Sequence, residues 1–316
     1  MYPPFVSLAN LRAFRSSDLE PVLEAQALHW QRHFRWDRRF AMGEVRRLLD
    51  RRLLSGRVLV SGRSPIGYAH YFQEGGRAVL SDLFVTGDAD PQATRLLLEG
   101  TLNGACLQYG VRRVEGQLLC LDPALGVRAA VSGELREFPR DLMLKSDLST
   151  PPAPPNAIGT VTFLGWSEEV LHRAARLLAA SYRGHVDALI NEEYAGDSGS
   201  RCALARCTRT PPRGQFLPAA GIVARKSGSS ALAGMCLGSM VSDGVGHIAQ
   251  LCVEPESQGL GLGSELLRRT MRALARAGCD SVTLTVTASN SRAVRLYERH
   301  GFRTIATFPA LVWQRI

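Results

Sequence analysis

The sequence predicts an α/β fold (α+β) built as two similar halves, and three observations carry that reading. Residues 247–276 stack an apolar run, a glycine bend and a helical pattern: His247-Ile-Ala-Gln-Leu-Cys-Val253, then Gln258-Gly-Leu-Gly-Leu-Gly263, then Ser264-Glu-Leu-Leu-Arg-Arg-Thr-Met-Arg-Ala-Leu-Ala-Arg276. From residue 161 onward, segments of strand-like and helix-like periodicity alternate. The first half also repeats the second in worn form. An offset of 168 sets Leu83-Phe-Val85 on Leu251-Cys-Val253, Leu98 on Leu266, Gly110 on Gly278, Val114 on Val282 and Gly133 on Gly301, and an offset of 170 sets Phe138-Pro139 on Phe308-Pro309.

The elements of the second half follow in order. Val161 to Gly165 reads as a strand, and Glu168 to Tyr182 as a helix with apolar residues at 170, 171, 174, 177 and 178. Gly184 to Tyr194 reads as a second short helix, and Gly196-Asp-Ser-Gly-Ser200 as a break. Residues 216–225 and 231–240 are two strands joined by Lys-Ser-Gly-Ser-Ser, a hairpin signal. Strand 247–253, helix 264–277, strand 281–287, helix 290–299 and a final pair of strands near 302–315 complete the half.

Composition sets outer bounds. A chain of 316 residues with 45% hydrophobic and 21% charged residues suits two ordinary globular cores. Residues 147–159 contain four prolines and no helical periodicity, so they read as an extended linker. The expected division is a first domain over 1–147, a linker over 148–157 and a second domain over 158–316. No run approaches 18 apolar residues and the start lacks a charged segment followed by an apolar one, which predicts a cytoplasmic protein with no membrane association. Seven scattered cysteines suit reduced thiols, and the spacing of Cys202 and Cys207 argues against zinc. Cys252, beside the glycine bend, reads as a small buried side chain. The net charge of +9 comes almost wholly from arginine, densest over Arg32–Arg52. That segment reads as the solvated face of a helix with Phe40, Val45, Leu48 and Leu49 as its apolar stripe, and nucleic-acid binding is disfavoured.

A strand–glycine–helix junction leaves backbone N–H groups unpaired at the positive end of a helix dipole, and glycine lets a bulky anion reach them. The ligand expected there is phosphorylated. Gly259, Gly261 and Gly263 alternate, so the dinucleotide fingerprint is not met, and no Gly-Lys-Ser/Thr ending supplies a Walker loop. The pattern Gln258-x-x-Gly261-x-Gly263, after a strand ending Val253-Glu-Pro255, is followed by Asn290-Ser-Arg-Ala-Val-Arg-Leu-Tyr-Glu-Arg-His-Gly-Phe302. Together these resemble the GNAT superfamily of acyl-coenzyme A N-acyltransferases over about residues 158–316.

The resemblance implies two tandem GNAT-like domains, each a mixed, mostly antiparallel twisted sheet flanked by helices. It implies acetyl-CoA as co-substrate and no metal. Cofactor contacts are expected from Leu251, Val253, Gln258, Gly259, Gly261, Leu262, Gly263, Ser264 and Asn290. Tyr297 stands at the family's tyrosine position and is the candidate general acid for the leaving thiolate. His247 opens the strand where several members place a glutamate acting through water, and its ordinary pKa near 6.5 suits a base; Glu254 is the weaker candidate. Asp187, Glu192 and Glu193 lie in the segment that borders the acceptor site and would attract a cationic amine. In the first half Asp90, Ala93 and Arg95 face Gln258, Gly261 and Gly263, while Asp122 and Ala129 face Asn290 and Tyr297. A carboxylate and two covered amides predict a copy without a cofactor site. The function expected is transfer of an acetyl group to a primary amine of a small molecule, peptide or protein by direct attack. The alternative is a non-catalytic acyl-CoA sensor or scaffold, and a homodimer stays open.

Overall fold

The computed structural model describes residues 6–87, 90–148, 161–209 and 214–316. Most of the proline-rich segment lies outside the described residues. The chain forms two compact units, one of Met1–Arg140 with Thr307–Ile316 and one of Asp141–Ala306. The first division therefore falls within a strand, and the end of the chain belongs to the first unit. Among the described residues no helix is long and apolar enough to cross a membrane.

The first unit opens with β1 (Val6–Asn10), α1 (Ser16–Phe34) and α2 (Arg39–Asp50). It continues with β2 (Ser55–Ser61), β3 (Ser64–Glu74), β4 (Arg77–Val85), α3 (Pro91–Cys106), β5 (Arg113–Gln117) and the start of β6 (Glu134–Lys145). Strands β1 to β4 pair antiparallel in succession, and β4 pairs parallel with β5. One face of the sheet packs a core around α3, and the other packs Leu19, Leu23, Met42 and Leu49 of the first two helices. The arginine-rich segment is thus two helices rather than one. Its apolar stripe turns inward at Met42, Val45 and Leu49, while Phe40 stays 81% exposed.

The second unit contains β7 (Val161–Gly165), α4 (Leu171–Tyr182), α5 (Val186–Ile190), α6 (Asp197–Arg209), β8 (Gln215–Lys226) and β9 (Leu232–Ser242). It goes on through β10 (Val245–Val253), α7 (Leu262–Arg276), β11 (Ser281–Thr287), α8 (Ser291–Arg299) and the start of β12 (Arg303–Gln314). Strands β7 to β10 are antiparallel, and β10 pairs parallel with β11. Leu266, Met271 and Leu274 of α7 bury one face of the sheet, and Ala174, Leu177 and Leu178 of α4 help to bury the other.

Two local expectations are corrected. Residues 196–200 do not break the chain; they begin α6. Gly199, read as a breaker, permits close approach instead, since a Cβ there would stand 2.5 Å from the Glu193 carbonyl oxygen. The final pair of strands is one continuous strand, β12. Its register runs from Ala310↔Gln117 to Gln314↔Arg113 on β5, and Leu311 and Trp313 lie in the α3 core of the first unit. The apolar run Phe308 to Trp313 looked the same from sequence whichever half it served.

The internal repeat is structural. The parallel ladder of the first unit runs Arg77↔Arg113 to Leu80↔Gly116, and that of the second Val245↔Ser281 to Ile248↔Leu284, every residue displaced by 168. Both copies then carry a bulge at the same place, β4 skipping Ser81 against β3 and β10 skipping Ala249 against β9. They diverge after the fifth strand. Where the second unit builds α8, the first makes only a single 3-10 turn, Pro123–Leu125, capped by Asp122.

Helices α7 and α8 are tied by a 2.6 Å hydrogen bond between Ser264 Oγ and His300 Nε2. Burial, then the positive charges of Arg299, Lys145 and Arg268, hold the His300 imidazole down to about 4.

Two outcomes follow from this packing. Trp313→Ala, which empties a fully buried site in the first unit, should cost about 3–5 kcal/mol, read as a lower urea midpoint. For His300 the unfolded chain binds a proton near pH 6.5 and the folded chain only near 4, so stability contributed above 6.5 is lost as pH falls through that window. The urea midpoint of His300→Gln should therefore drop less than the parent's between pH 7 and 4.5; parallel profiles would refute the neutral imidazole.

Candidate functional site

The site is built where the β10–β11 ladder stops. Pairing ends at Ile248↔Leu284, although β10 runs on to Val253 and β11 to Thr287. The bulge at Ala249 bends β10 at that point. Val282, Leu284 and Val286 point into the α7 core, so alternation sends Thr283, Thr285 and Thr287 to the opposite face, over which α4 and α5 run. A polar strip is thereby laid along an otherwise apolar sheet.

On that strip, side chains from five elements meet, β10, β11, α4, α5 and the 3-10 turn Glu192–Ala195. Gln250 of β10 donates to the Tyr182 hydroxyl at 2.7 Å and accepts from that of Tyr194 at 3.3 Å, while the two tyrosine rings lie 4.7 Å apart. Thr287 donates its hydroxyl to the buried carboxylate of Asp187. His185 caps α5, with its Nδ1 3.5 Å from an Asp187 oxygen, and its Nε2 lies 3.1 Å from Asn290 Nδ2. Burial pushes the Tyr182 phenol well above its ordinary range, with Asp187 acting in the same sense. Tyr182, Tyr194, Gln250, Thr287 and His185 were missed in the sequence reading. Gln250 alone left a trace there, as a polar residue interrupting the apolar strand.

Of the anticipated acceptor-side acids, Asp187 reaches this cluster. Glu193 is buried in an ion pair with Arg206, which commits it to holding α6. Glu254 is likewise engaged, with Lys226 Nζ at 2.8 Å and Ser257 Oγ at 2.6 Å.

The glycine bend lies just past the end of β10. Gly259 and Gly261 have φ of +87° and +83°, so both positions demand glycine for backbone reasons, and Gly261 is the N-cap of α7. Gly263 is different. A Cβ there would meet only Leu296 and Val253, both at an ordinary 3.6 Å. The protein itself leaves room for a side chain at 263, so the fold does not account for its absence. Gln258 staples the bend, donating to the Val253 carbonyl at 3.0 Å and accepting from Arg292 at 2.6 Å. Leu262 is buried in the α7 core, and Leu251 and Val253 pair with Cys236 and Gly234 of β9.

Asn290 caps α8, its Oδ1 accepting from the Ala293 N–H at 3.1 Å. Tyr297 is the buried residue of that helix, its ring 5.8 Å from that of Phe302. His247 sits apart from this group. It is 2% exposed within the paired part of the ladder, with Nδ1 3.0 Å from Thr283 Oγ1, and Leu251 stands four positions further along the strand, about 13 Å away. Cys252 is buried among apolar side chains, and burial pushes its thiol up to about 12. Among the described residues no group of three or more His, Cys, Asp or Glu is placed to hold a metal.

In the first unit the corresponding places are occupied. Asp82, at the position of Gln250, accepts from Arg38 at 2.8 Å and from Gln26 at 3.1 Å. Asp90 caps α3 by accepting from Gln92 N at 2.9 Å, and Arg95 donates to the Leu125 carbonyl.

A family model described as the Acetyltransferase (GNAT) family matches residues 187–302. The N-alpha-acetyltransferase MAK3 of Arabidopsis thaliana is 44% identical over 57 residues, 18% of this chain and 30% of that protein. A mycothiol acetyltransferase of Kineococcus radiotolerans is 48% identical over 67 residues, 21% of this chain and 22% of that one. The chain thus spans less than a third of the length of these curated relatives. Among solved structures, a GCN5-related N-acetyltransferase from Sphaerobacter thermophilus superposes with a TM-score of 0.67 at 16% identity, covering 98% of this chain and 95% of that one. A tandem GNAT protein from the clavulanic acid biosynthesis pathway gives 0.59 at 14% identity, with 98% of each covered. Those likenesses concern the fold, and the family match takes in the glycine bend and α8 of the second unit.

Proposed function

We propose that the second unit transfers an acetyl group from acetyl-CoA to a primary amine by direct attack. The observation that carries this reading is the polar cluster at the open end of the β10–β11 ladder, set beside a glycine bend whose third glycine the fold does not require. The backbone nitrogens of Gly259, Gly261, Leu262, Gly263 and Ser264 form the seat for the diphosphate at the start of α7. Gln258 holds that seat in place, Leu251 and Val253 offer main-chain groups to the pantetheine arm, and Asn290 lies at its side.

The cofactor supplies an acyl group on a thiol leaving group; the chain supplies positions and protons. Tyr297 gives its phenolic proton to the departing sulfur. Asp187, fixed by Thr287, attracts the acceptor as an ammonium ion, which must then lose a proton. A lysine-type amine near pKa 10.4 loses about 4–5 kcal/mol to protonation at pH 7, an α-amine near 8 only about 1. An α-amine of a small molecule, peptide or protein therefore asks least of the site, in keeping with the name of the plant relative. His247 serves as base through the Thr283, Thr285 and Thr287 strip and intervening water. Its place inside the ladder is also the observation that favours the second reading, a non-catalytic acyl-CoA sensor or scaffold. The first unit, with its seat closed, acts as a wall or docking surface. The reading keeps acetyl-CoA as co-substrate, with no metal and a cytoplasmic setting.

Release of free thiol from acetyl-CoA in the presence of an amine panel separates the two readings, since a scaffold yields none. Tyr297→Phe should lower kcat by about 10²–10⁴-fold with coenzyme binding largely unchanged, and an unchanged kcat would remove Tyr297 from the acid role. Gly263→Ala should raise stability by up to about 1 kcal/mol yet weaken coenzyme affinity by about tenfold. Gly261→Ala, strained at positive φ, should instead lose about 1–2 kcal/mol of stability. Calorimetry and urea unfolding on the same samples distinguish the pair.

A further inference from the structure

Helix α3 crosses the β1–β2 edge of the first unit over Gly100 and Gly104, one turn apart on a single helix face. A cavity of about 140 Å³ lies there between helix and sheet, lined by Asn10, Arg12, Ser55, Arg57, Tyr71 and Gln108 as well as by the two glycines. We propose that this cavity binds a small oxyanion of the phosphate or phosphate-monoester class.

Its lining is rich in donors, and several of its acceptors are already engaged. Asn10 Oδ1 accepts from the Arg12 N–H at 3.0 Å, and Ser55 Oγ accepts from Arg12 Nη2 at 2.9 Å. The Gly104 carbonyl accepts from Tyr71 at 3.2 Å and from Gln108 at 2.9 Å. Lining the cavity with these groups are two arginines, Arg12 and Arg57, and the amide side chains of Asn10 and Gln108. That set exceeds the two oxygens of a carboxylate and suits a phosphoryl group. Among the described residues neither Arg12 nor Arg57 has a carboxylate partner. Burial raises the Tyr71 phenol, while Arg57, Arg12 and a hydrogen bond from Ser55 pull the other way.

The second copy satisfies the same crossing from within. Displaced by 168, Gly100 and Gly104 become Arg268 and Arg272, and Leu97 becomes Glu265. Arg268 is buried there with Nε and Nη2 on Glu265 at 2.8 and 2.6 Å. The first copy has cations from the sheet side, no acid from the helix side, and glycines where side chains would fill the gap. A Cβ on Gly104 would stand 3.8 Å from Arg57 Nη2 and 4.0 Å from the Tyr71 hydroxyl, so that position can be filled without a clash.

The test is thermal unfolding and calorimetry of the full chain titrated with inorganic phosphate, ionic strength being held constant with chloride. Parallel arms use glycerol phosphate and malonate. The parent should show saturable stabilisation and heat of binding by phosphate and the monoester, with malonate about tenfold weaker or more. Arg12→Gln/Arg57→Gln should lose that response, yet without phosphate it should be no less stable than the parent, because two unneutralised cations are gone. Gly104→Val, which blocks the cavity and keeps both charges, should lose the response as well. Equal responses in the parent and both variants would mean adventitious ion binding and overturn the proposal, as would malonate binding more tightly than phosphate.

Discussion

The arrangement of the second unit depends on one interruption, the end of the β10–β11 ladder at Ile248↔Leu284. Parallel strands that stay paired present every side chain to a covering layer and leave no backbone accessible between them. Here both strands continue past their last shared pair, and the bulge at Ala249 turns β10 where it would otherwise keep register. Two results come from that single departure. Gln250 and Thr287 reach a buried polar cluster rather than an apolar core, and the strand end leads directly to the bend at Gly259 and Gly261. Loss of pairing is stabilised locally by Gln258, which occupies the Val253 carbonyl, and by Glu254, whose N–H donates to Ala233 O at 2.9 Å.

The first unit shows that the frame alone does not make such a site. It has the same ladder and the same bulge, both displaced by 168 residues, and a helix after the strand. What differs is the filling. A carboxylate at the bulge position, Asp82, meets Arg38 and Gln26 in a buried pair, and the Arg38 guanidinium lies 4.4 Å from the Trp30 ring. A buried pair of this kind resists the entry of any ligand, because breaking it strands a charge without solvent. At the head of α3, Asp90 has taken a donor that an anion would need, and it brings a negative charge of its own.

How far the sequence spoke for this follows from the physics of each feature. The glycine bend, the helix that begins at Asn290 and the repeat were legible because they rest on local backbone demands: positive φ at Gly259 and Gly261, an N-cap oxygen, matched turns at Gly110 and Gly278. The cluster of Tyr182, Tyr194, Asp187 and Gln250 was only partly legible, since it joins residues 68 and 56 positions apart through side chains with no required spacing. His247 shows the converse. Its position at the start of an apolar strand was plain, but the point at which the ladder stops decides whether it stands in the opening or behind it, and pairing partners are a long-range matter. Gly199 misled for a related reason: glycine marks a turn or a close approach, and only the packing of α6 on Glu193 tells which.

Where β12 belongs carries the last step. Its residues from Thr307 lie in the first unit, and Trp313, fully buried, fills the core around α3. Completing the first unit therefore requires the ten-residue segment Thr307–Ile316, more than 160 positions downstream of Arg140, whose strand closes against β5. Loop closure over such a length costs little more than over half of it, because the entropy grows only with its logarithm. The equilibrium is thus hardly affected, but the first copy cannot be cut from the second without exposing β5 and its apolar face. The first copy is in this way kept with the chain for structural reasons, and its retention needs no second catalytic centre.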